Sequence, residues 1–197
     1  MIPWEPIPGE TPIDDVSVLK LAIRTRSELN DAEAANIRRA VVKYLSKRPS
    51  RRTAKFDLAW LLRLHREMFG DVWKWAGTVR VRPVNIGVPF YQIQLELQKL
   101  LGDLSVWGES RMDLVEQAAR LHYRAVAIHP FLNGNGRWSR LLANIWLRLN
   151  RVPLTNWPDD AIGTESCLRA EYIAAIKEVD LKGDYDPLIA MHRRFSG

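Results

Sequence analysis

Residues 129–140 read His129-Pro130-Phe131-Leu132-Asn133-Gly134-Asn135-Gly136-Arg137-Trp138-Ser139-Arg140. Apolar residues at helical spacing lead into this stretch from about Asp113 to Ile128 and continue after it as far as Leu149. The residues between the two patterns include glycine, asparagine and proline, which favour turns and left-handed backbone. The stretch therefore predicts two helices joined by a tight loop, with His129 at the end of the first helix.

The start of the second predicted helix is suited to bind phosphate. N–H groups in the first turn of a helix have no partner within the helix, and together with the helix dipole they attract anions. Arg137 and Arg140 are three residues apart, so both can lie on one face of that turn. His129 has the side-chain type that titrates nearest to neutral pH, so it can act as a general base beside the phosphate. A simple turn with a structural histidine is the alternative reading of each feature taken alone.

Composition predicts a single globular domain over residues 1–197. The chain is 47% hydrophobic and 26% charged, and its one cysteine, Cys167, excludes an intramolecular disulfide and suits a reducing cytoplasm. Its first residues lack a signal-peptide pattern, and no apolar run approaches the roughly 20 residues that span a bilayer. We therefore expect a cytoplasmic location and no membrane partner.

The net charge of +6, carried mostly by arginine, favours anionic partners. Basic pairs at 38–39, 47–48 and 51–52 lie close together in the sequence. No helix-turn-helix pattern or zinc-ligand spacing accompanies them, so nucleic-acid binding is not expected, although the basic residues leave it open.

The rest of the chain predicts an all-α bundle of about seven helices. Their predicted ranges begin with a helix capped by Asn30, with Glu33 in a capping box, and continue at about 53–69, 91–107, 113–128, after the loop until Pro153, 165–179 and 186–195. Alternation and turn residues predict a short β-hairpin at about 78–89. We expect an N-terminal extension at 1–26 and a helical core at 27–197.

The string at 129–140 resembles the motif of the Fic family (filamentation induced by cAMP), HPFx[D/E]GNGRxxR, at every fixed position except Asn133. The resemblance covers most of the chain. The stretches 28–37, 68–77, 85–87 and 128–137 look especially like the subgroup called mobile mystery protein B. This resemblance implies a Fic fold in which the β-hairpin is a flap over the active-site loop.

The resemblance also implies an activity: transfer of AMP from ATP to a Ser, Thr or Tyr hydroxyl of a target protein, with His129 as the general base. In the flap, Ile86 and Gly87 would touch the target. The residues implied to bind the nucleotide are Asn133, Gly134, Asn135, Gly136, Arg137 and Arg140.

Asn133 stands where the family has an acid that coordinates Mg²⁺. An amide offers an oxygen but no charge, and Mg²⁺ favours carboxylates and phosphates, so we expect Asn133 to bind the metal weakly. Another nucleotide or phosphate-containing donor, or removal of AMP, is an alternative reaction. A further alternative is an idle regulatory or nucleic-acid-binding module.

The sequence departs from the family pattern a second time, in the motif that inhibits many family members. Many family members carry the helical motif [S/T]xxxE[G/N], whose glutamate pairs with the second arginine of the active-site motif. Glu33 is the nearest candidate here, but Leu29 and Ala34 stand at the flanking motif positions. Glu33 is predicted either as an inhibitory residue paired with Arg140 or as a helix cap, and an antitoxin or regulatory partner is the alternative source of inhibition.

Overall fold

The regular structure of the chain is almost entirely helical, as predicted. A computed structural model describes residues 16–163 and 166–197, which include seven helices of nine or more residues and one of four. Short 3-10 turns occur at Val16–Val18 and Phe90–Gln92. The helices are α1 Arg26–Leu45, α2 Leu58–Phe69, α3 Ile93–Glu109, α4 Leu114–Ile128, α5 Asn135–Leu149, α6 Asp159–Ile162, α7 Cys167–Lys182 and α8 Asp186–Arg194.

Helices α4 and α5 form the centre of the fold. Helix α5 buries twelve of its fifteen residues, among them the polar Asn135, Ser139, Arg140 and Asn144, because helices pack around it on several sides. It packs against α4, α1 and α2, while α4 also contacts α3 and α8. Fully buried alanines on α4, including Ala118 and Ala125, leave room for this close packing. The loop at 129–134 is thereby held between two buried helices.

The predicted start of α1 is wrong. The N-cap lies five residues earlier, at Thr25, because Thr25 and Glu28 form the capping box that the sequence predicts for Asn30 and Glu33. The Thr25 hydroxyl accepts a hydrogen bond from the Glu28 N–H at 3.2 Å, and the Glu28 carboxylate accepts from the Thr25 N–H at 3.3 Å. This earlier start leaves Glu33 in the middle of the helix, on its buried face.

The predicted β-hairpin at 78–89 is also wrong, because this segment contains no strand. The N–H groups of Arg80 and Val88 donate instead to the carbonyls of Pro130 and Ile128, at 2.9 and 3.4 Å. Pro83 and Pro89 have no N–H to contribute to a ladder. The backbone of this segment therefore pairs with the end of α4 and the 129–134 loop rather than with itself.

The first fifteen residues of the predicted N-terminal extension lie outside the described ones. Among the described residues, no helix is both long and apolar enough to cross a membrane. The division into an extension and a core stays a prediction.

Candidate active site

His129 occupies the point where α4 ends. Its backbone is left-handed, with φ 52° and ψ 60°, and its N–H closes the helix by donating to the Ala125 carbonyl at 3.4 Å. The side chain is only 7% exposed. Burial, and then the positive charge of Arg80, lower the pKa of His129 to about 4, against a hydrogen bond with the Val126 backbone that raises it. The imidazole is therefore uncharged at neutral pH and able to accept a proton.

Asn135 holds the active-site loop in shape from within. Its side-chain oxygen accepts from the Phe131 N–H and its side-chain nitrogen donates to the Phe131 carbonyl, both at 2.9 Å. Its amide side chain therefore braces the loop, and Asn135 is 2% exposed. Contact of this residue with a phosphate stays a prediction.

Gly134 begins α5 with a left-handed backbone, φ 78°. A Cβ placed on it would lie 2.6 Å from a ring atom of Phe69, so no larger residue fits without displacing that ring. The guanidinium of Arg137 lies over the same ring, 5.0 Å from its centroid. Phe69 thus supports both the glycine turn and the first arginine, while Gly136 follows in the first turn of α5.

The side chain of Asn133 is engaged by its own loop. Its Oδ1 accepts a hydrogen bond from the Gly134 N–H at 2.5 Å. The described residues contain no group of three or more His, Cys, Asp or Glu side chains that could hold a metal. The loop therefore offers Mg²⁺ one amide oxygen, already shared, and no carboxylate, and weak metal binding by Asn133 stays a prediction.

His65 lies beneath the loop, and its part in the site was not foreseen from the sequence. Its Nδ1 accepts from the Gly77 N–H at 3.0 Å, so the proton is on Nε2, which donates to the Asn133 carbonyl at 3.1 Å. Its ring stacks on Phe131 with centroids 3.6 Å apart. Complete burial lowers the pKa of His65 to about 3, so it serves as a neutral brace.

Glu33 forms an ion pair with Arg137, and the predicted pairing with Arg140 is wrong. One Glu33 oxygen accepts from Arg137 at 2.5 Å and the other accepts from the Trp73 indole N–H at 2.6 Å. The Glu33 side chain is 4% exposed and the Arg137 side chain 31%. The carboxylate is fixed by Trp73, so it reaches the arginine nearer to the start of α5.

Arg140 is buried and lies over the ring of Tyr172, 5.7 Å from its centroid. The Tyr172 hydroxyl is 3.0 Å from His122 Nε2, and His122 Nδ1 is 3.1 Å from His192 Nε2. His192 Nδ1 is in turn 2.8 Å from the Thr155 hydroxyl. This chain of buried polar groups connects the second arginine to α7 and α8, and no sequence pattern indicated it.

Arg80 joins the 78–89 segment to the active-site loop. Its side chain is buried and donates to the carbonyls of His129 at 2.8 Å, Arg82 at 3.1 Å and Val88 at 2.5 Å. In the sequence Arg80 stands between Val79 and Val81, and this charged residue between two valines is the signal that could have indicated its structural role.

Gly87 brings the 78–89 segment against the catalytic candidate. Its φ is +98°, and a Cβ placed on it would lie 2.5 Å from the Cβ of His129. Its neighbour Ile86 is 44% exposed and available to a partner. The structure thus brings His129, Gly87 and the start of α5 together.

Comparison with known proteins shows what the chain is similar to. Residues 55–147 match the Fic/DOC family. The chain is 32% identical over 135 residues to protein adenylyltransferase fic-1 of Caenorhabditis briggsae, which covers 66% of this chain and 25% of that protein. It is 31% identical over 97 residues to protein adenylyltransferase VbhT of Bartonella schoenbuchensis, covering 45% and 20%. The chain thus spans about a quarter or less of these relatives.

Solved structures share the fold over most of the chain. Fic-1 (residues 134–508) of Caenorhabditis elegans superposes with a TM-score of 0.69 and 25% identity, over 91% of this chain and 52% of that one. The BepC protein of Bartonella tribocorum, solved with bound AMPPNP, gives a TM-score of 0.68 and 19% identity over 91% of both chains.

Proposed function

We propose, from the match of residues 55–147 to the Fic/DOC family, that the chain is a protein adenylyltransferase that moves AMP from ATP to a hydroxyl of a target protein. The observation that carries the proposal is the position of His129, buried and uncharged beside the start of α5. The adenylyltransferase names of the relatives and the AMPPNP bound to BepC support the choice of donor.

His129 acts as the base in the proposed reaction. The target oxygen attacks the α-phosphorus of ATP, and its proton passes to the neutral imidazole. A bond forms between that oxygen and the α-phosphorus while the bond to the bridging oxygen breaks, so pyrophosphate leaves with the electron pair. The free N–H groups at the start of α5 and the charge of Arg140 stabilise the phosphates.

Mg²⁺ is proposed to bind chiefly through phosphates and water, with Asn133 contributing an amide oxygen at most. When bound, the metal would neutralise charge on the phosphates. The same amide favours a second candidate function, in which the donor is another nucleotide or phosphate-containing molecule that needs less help from a metal.

Glu33 is proposed to restrain the enzyme by occupying Arg137. While the ion pair persists, this guanidinium is turned towards α1 and contributes less to phosphate binding. The two residues are 104 positions apart in the sequence, so the pair can form only while α1 packs against α5.

The target is proposed to bind along the 78–89 segment, with Ile86 and Gly87 nearest to the modified hydroxyl. A groove beside this segment is lined by Thr78, Val79, Arg80, Val81, Phe90 and Tyr91. Exposed apolar side chains there, including Tyr91 and Val81, suit a target segment that carries apolar residues near its Ser, Thr or Tyr.

The sequence suggests two further properties, which we include in the proposal. The exposed free thiol of Cys167 suits the reducing cytoplasm. An antitoxin or regulatory partner acting on the same site would supplement the restraint by Glu33.

Labelling with ATP tests the proposal. The full chain is incubated with α-³²P-ATP, Mg²⁺ or Mn²⁺ and a cell lysate, beside His129→Ala and Lys177→Ala, an exposed control on α7. We expect labelled protein bands with the wild type and the control, and none with His129→Ala. Labelling that survives in His129→Ala would refute the role of the base. Labelling by CTP or UTP but not ATP would favour the second candidate.

A further inference from the structure

Seven cations gather at the end of α5 that is remote from the active site. The segment 46–56 wraps around this helix end: Arg48 donates to the Leu149 carbonyl at 2.8 Å, and Arg148 donates to the Ser46 carbonyl at 3.3 Å. Arg51 lies over the Trp146 ring, 5.4 Å from its centroid. The cations, which we call the basic patch, are Lys47, Arg48, Arg51, Arg52, Lys55, Arg148 and Arg151.

The basic patch accounts for the positive net charge of the whole chain. The protein has 29 Lys and Arg residues against 23 Asp and Glu residues, and without these seven the remaining 22 cations are matched by the acids. None of the seven forms an ion pair with a carboxylate in the part of the chain that the structure describes. The segments 46–56 and 147–156 contain no acid, and the adjacent Asp57 caps α2. The positive charge is therefore concentrated rather than balanced.

Helix ends explain only part of this concentration. Arg48 and Arg148 cover the carbonyls where α1 and α5 finish, and cations near a helix C-terminus are favourable. Lys47, Arg52, Lys55 and Arg151 are exposed, and their side chains make no hydrogen bond or ion pair within the described residues. Lys47, Arg52 and Lys55 lie on one short segment that contacts the helix end just before Arg151, so their like charges repel and an external polyanion would stabilise the arrangement.

From this surface we propose that the basic patch binds the phosphate backbone of duplex nucleic acid without reading its sequence. The patch is rich in arginine, whose planar fork suits phosphate oxygens. No large exposed hydrophobic side chain lies within 46–57 or 147–156, so a protein partner would find no apolar centre there and a membrane no anchor. The ring under Arg51, Trp146, is 2% exposed and Phe56 is partly buried, so neither offers an open platform on which single-stranded bases could stack.

The position of the patch separates this binding from the nucleotide site. Helix α5 begins at the active-site loop and has fifteen residues, so its two ends lie about 20 Å apart. A duplex at the basic patch would leave His129 and Arg140 uncovered. The proposal is thus independent of the adenylyltransferase proposal.

Fluorescence anisotropy with a labelled DNA duplex of about 24 base pairs tests the inference on the full chain. The patch variant carries Lys47→Gln, Arg52→Gln, Lys55→Gln and Arg151→Gln, none of which removes an observed contact. Its matched control removes two lysines and two arginines elsewhere on the surface, through Arg24→Gln, Arg63→Gln, Lys177→Gln and Lys182→Gln. Circular dichroism melts of both variants show that they remain folded.

We expect the patch variant to bind the duplex at least tenfold more weakly, while the control loses less than threefold. The slope of log K against log salt should become shallower by about three to four in the patch variant only, because each lost phosphate contact removes about 0.9. Equal losses in the two variants would show that net charge alone is responsible, and would overturn the proposal. Tighter binding of polyglutamate, of a single strand of equal length or of phosphatidylserine vesicles would overturn it as well.

Discussion

At the scale of single residues, the proposed chemistry depends on how His129 is buried. Its low pKa keeps the imidazole neutral across the physiological range, yet a base with a pKa of about 4 attracts a proton only weakly. Arg80 contributes to this, since its charge lies beside the imidazole. Anionic phosphates bound at the start of α5 would oppose Arg80 and raise the pKa, so the substrate itself would strengthen the base.

Gly87 is expected to tolerate no side chain. Gly87→Ala would place a methyl group 2.5 Å from the His129 Cβ and impose a left-handed backbone on alanine, so either the segment or the histidine must move. We predict at least a tenfold loss of kcat/KM for target labelling. Gly102→Ala is the control, because nothing lies within 4 Å of a Cβ there and its helical site should gain about 0.5–1 kcal/mol of stability. Unchanged labelling by Gly87→Ala would contradict the close approach.

Asn133→Asp is expected to raise activity that depends on Mg²⁺. The aspartate retains an oxygen that can accept from the Gly134 N–H and adds the charge that Mg²⁺ favours. Titration of labelling against Mg²⁺ should show half-activation at a lower concentration, roughly tenfold, which corresponds to about 1.4 kcal/mol. An unchanged or weaker response to Mg²⁺ would count against this role for residue 133.

At the scale of elements, the 78–89 segment illustrates how a side chain can replace a strand pairing. Its alternation and turn residues predicted a hairpin, because local pattern reports which residues favour extended backbone. It cannot report where their hydrogen bonds go. The Arg80 side chain links the beginning of the segment to Val88 near its end, and it also donates to the carbonyl of His129. The loop and the segment are therefore held as one unit.

The contact between α1 and α5 is expected to restrain activity. In Glu33→Gln the side-chain oxygen can still accept from Trp73, but the ion pair with Arg137 is lost. We predict an increase in autoadenylylation of up to about tenfold if the released pair is worth about 1.4 kcal/mol. Trp73→Phe is the companion variant: it frees the carboxylate from its anchor but keeps its charge, and should give a smaller rise. No increase in Glu33→Gln would remove the inhibitory role.

At the scale of the whole molecule, all four histidines of the chain are buried. Burial lowers each pKa below its usual 6.5: to about 4 for His129, to about 3 for His65 and His192, and well below 6.5 for His122. Unfolding at mildly acidic pH therefore takes up protons on all four. Their stabilising contribution is complete above pH 6.5 and is lost as pH falls from 6.5 towards 4 and below.

We predict that the free energy of unfolding falls steeply between pH 6 and 5. Each histidine contributes up to about 1.4 kcal/mol per pH unit there, whereas carboxylates titrate mainly at lower pH. Urea denaturation from pH 7.5 to 5 measures the slope. His192→Asn, which can keep a hydrogen bond to Thr155, should reduce it by about one proton. A free energy that does not change over this range would show that the histidines are protonated in the native state.

The sequence by itself determined the helices and pointed to the candidate active-site loop, because helical periodicity, turn residues and a contiguous motif are local properties. It located His129 and both arginines in this way. Only the tertiary structure decided that Glu33 meets Arg137, that Arg80 replaces a β ladder and that two segments about a hundred residues apart share one basic patch. These depend on the packing of buried helices around α5, which brings together side chains that no local pattern relates. The stretch at 129–140 can therefore be recognised from the sequence as a motif. The Glu33–Arg137 ion pair, the His65 contacts beneath the loop and the basic patch at the far end of α5 depend instead on the fold.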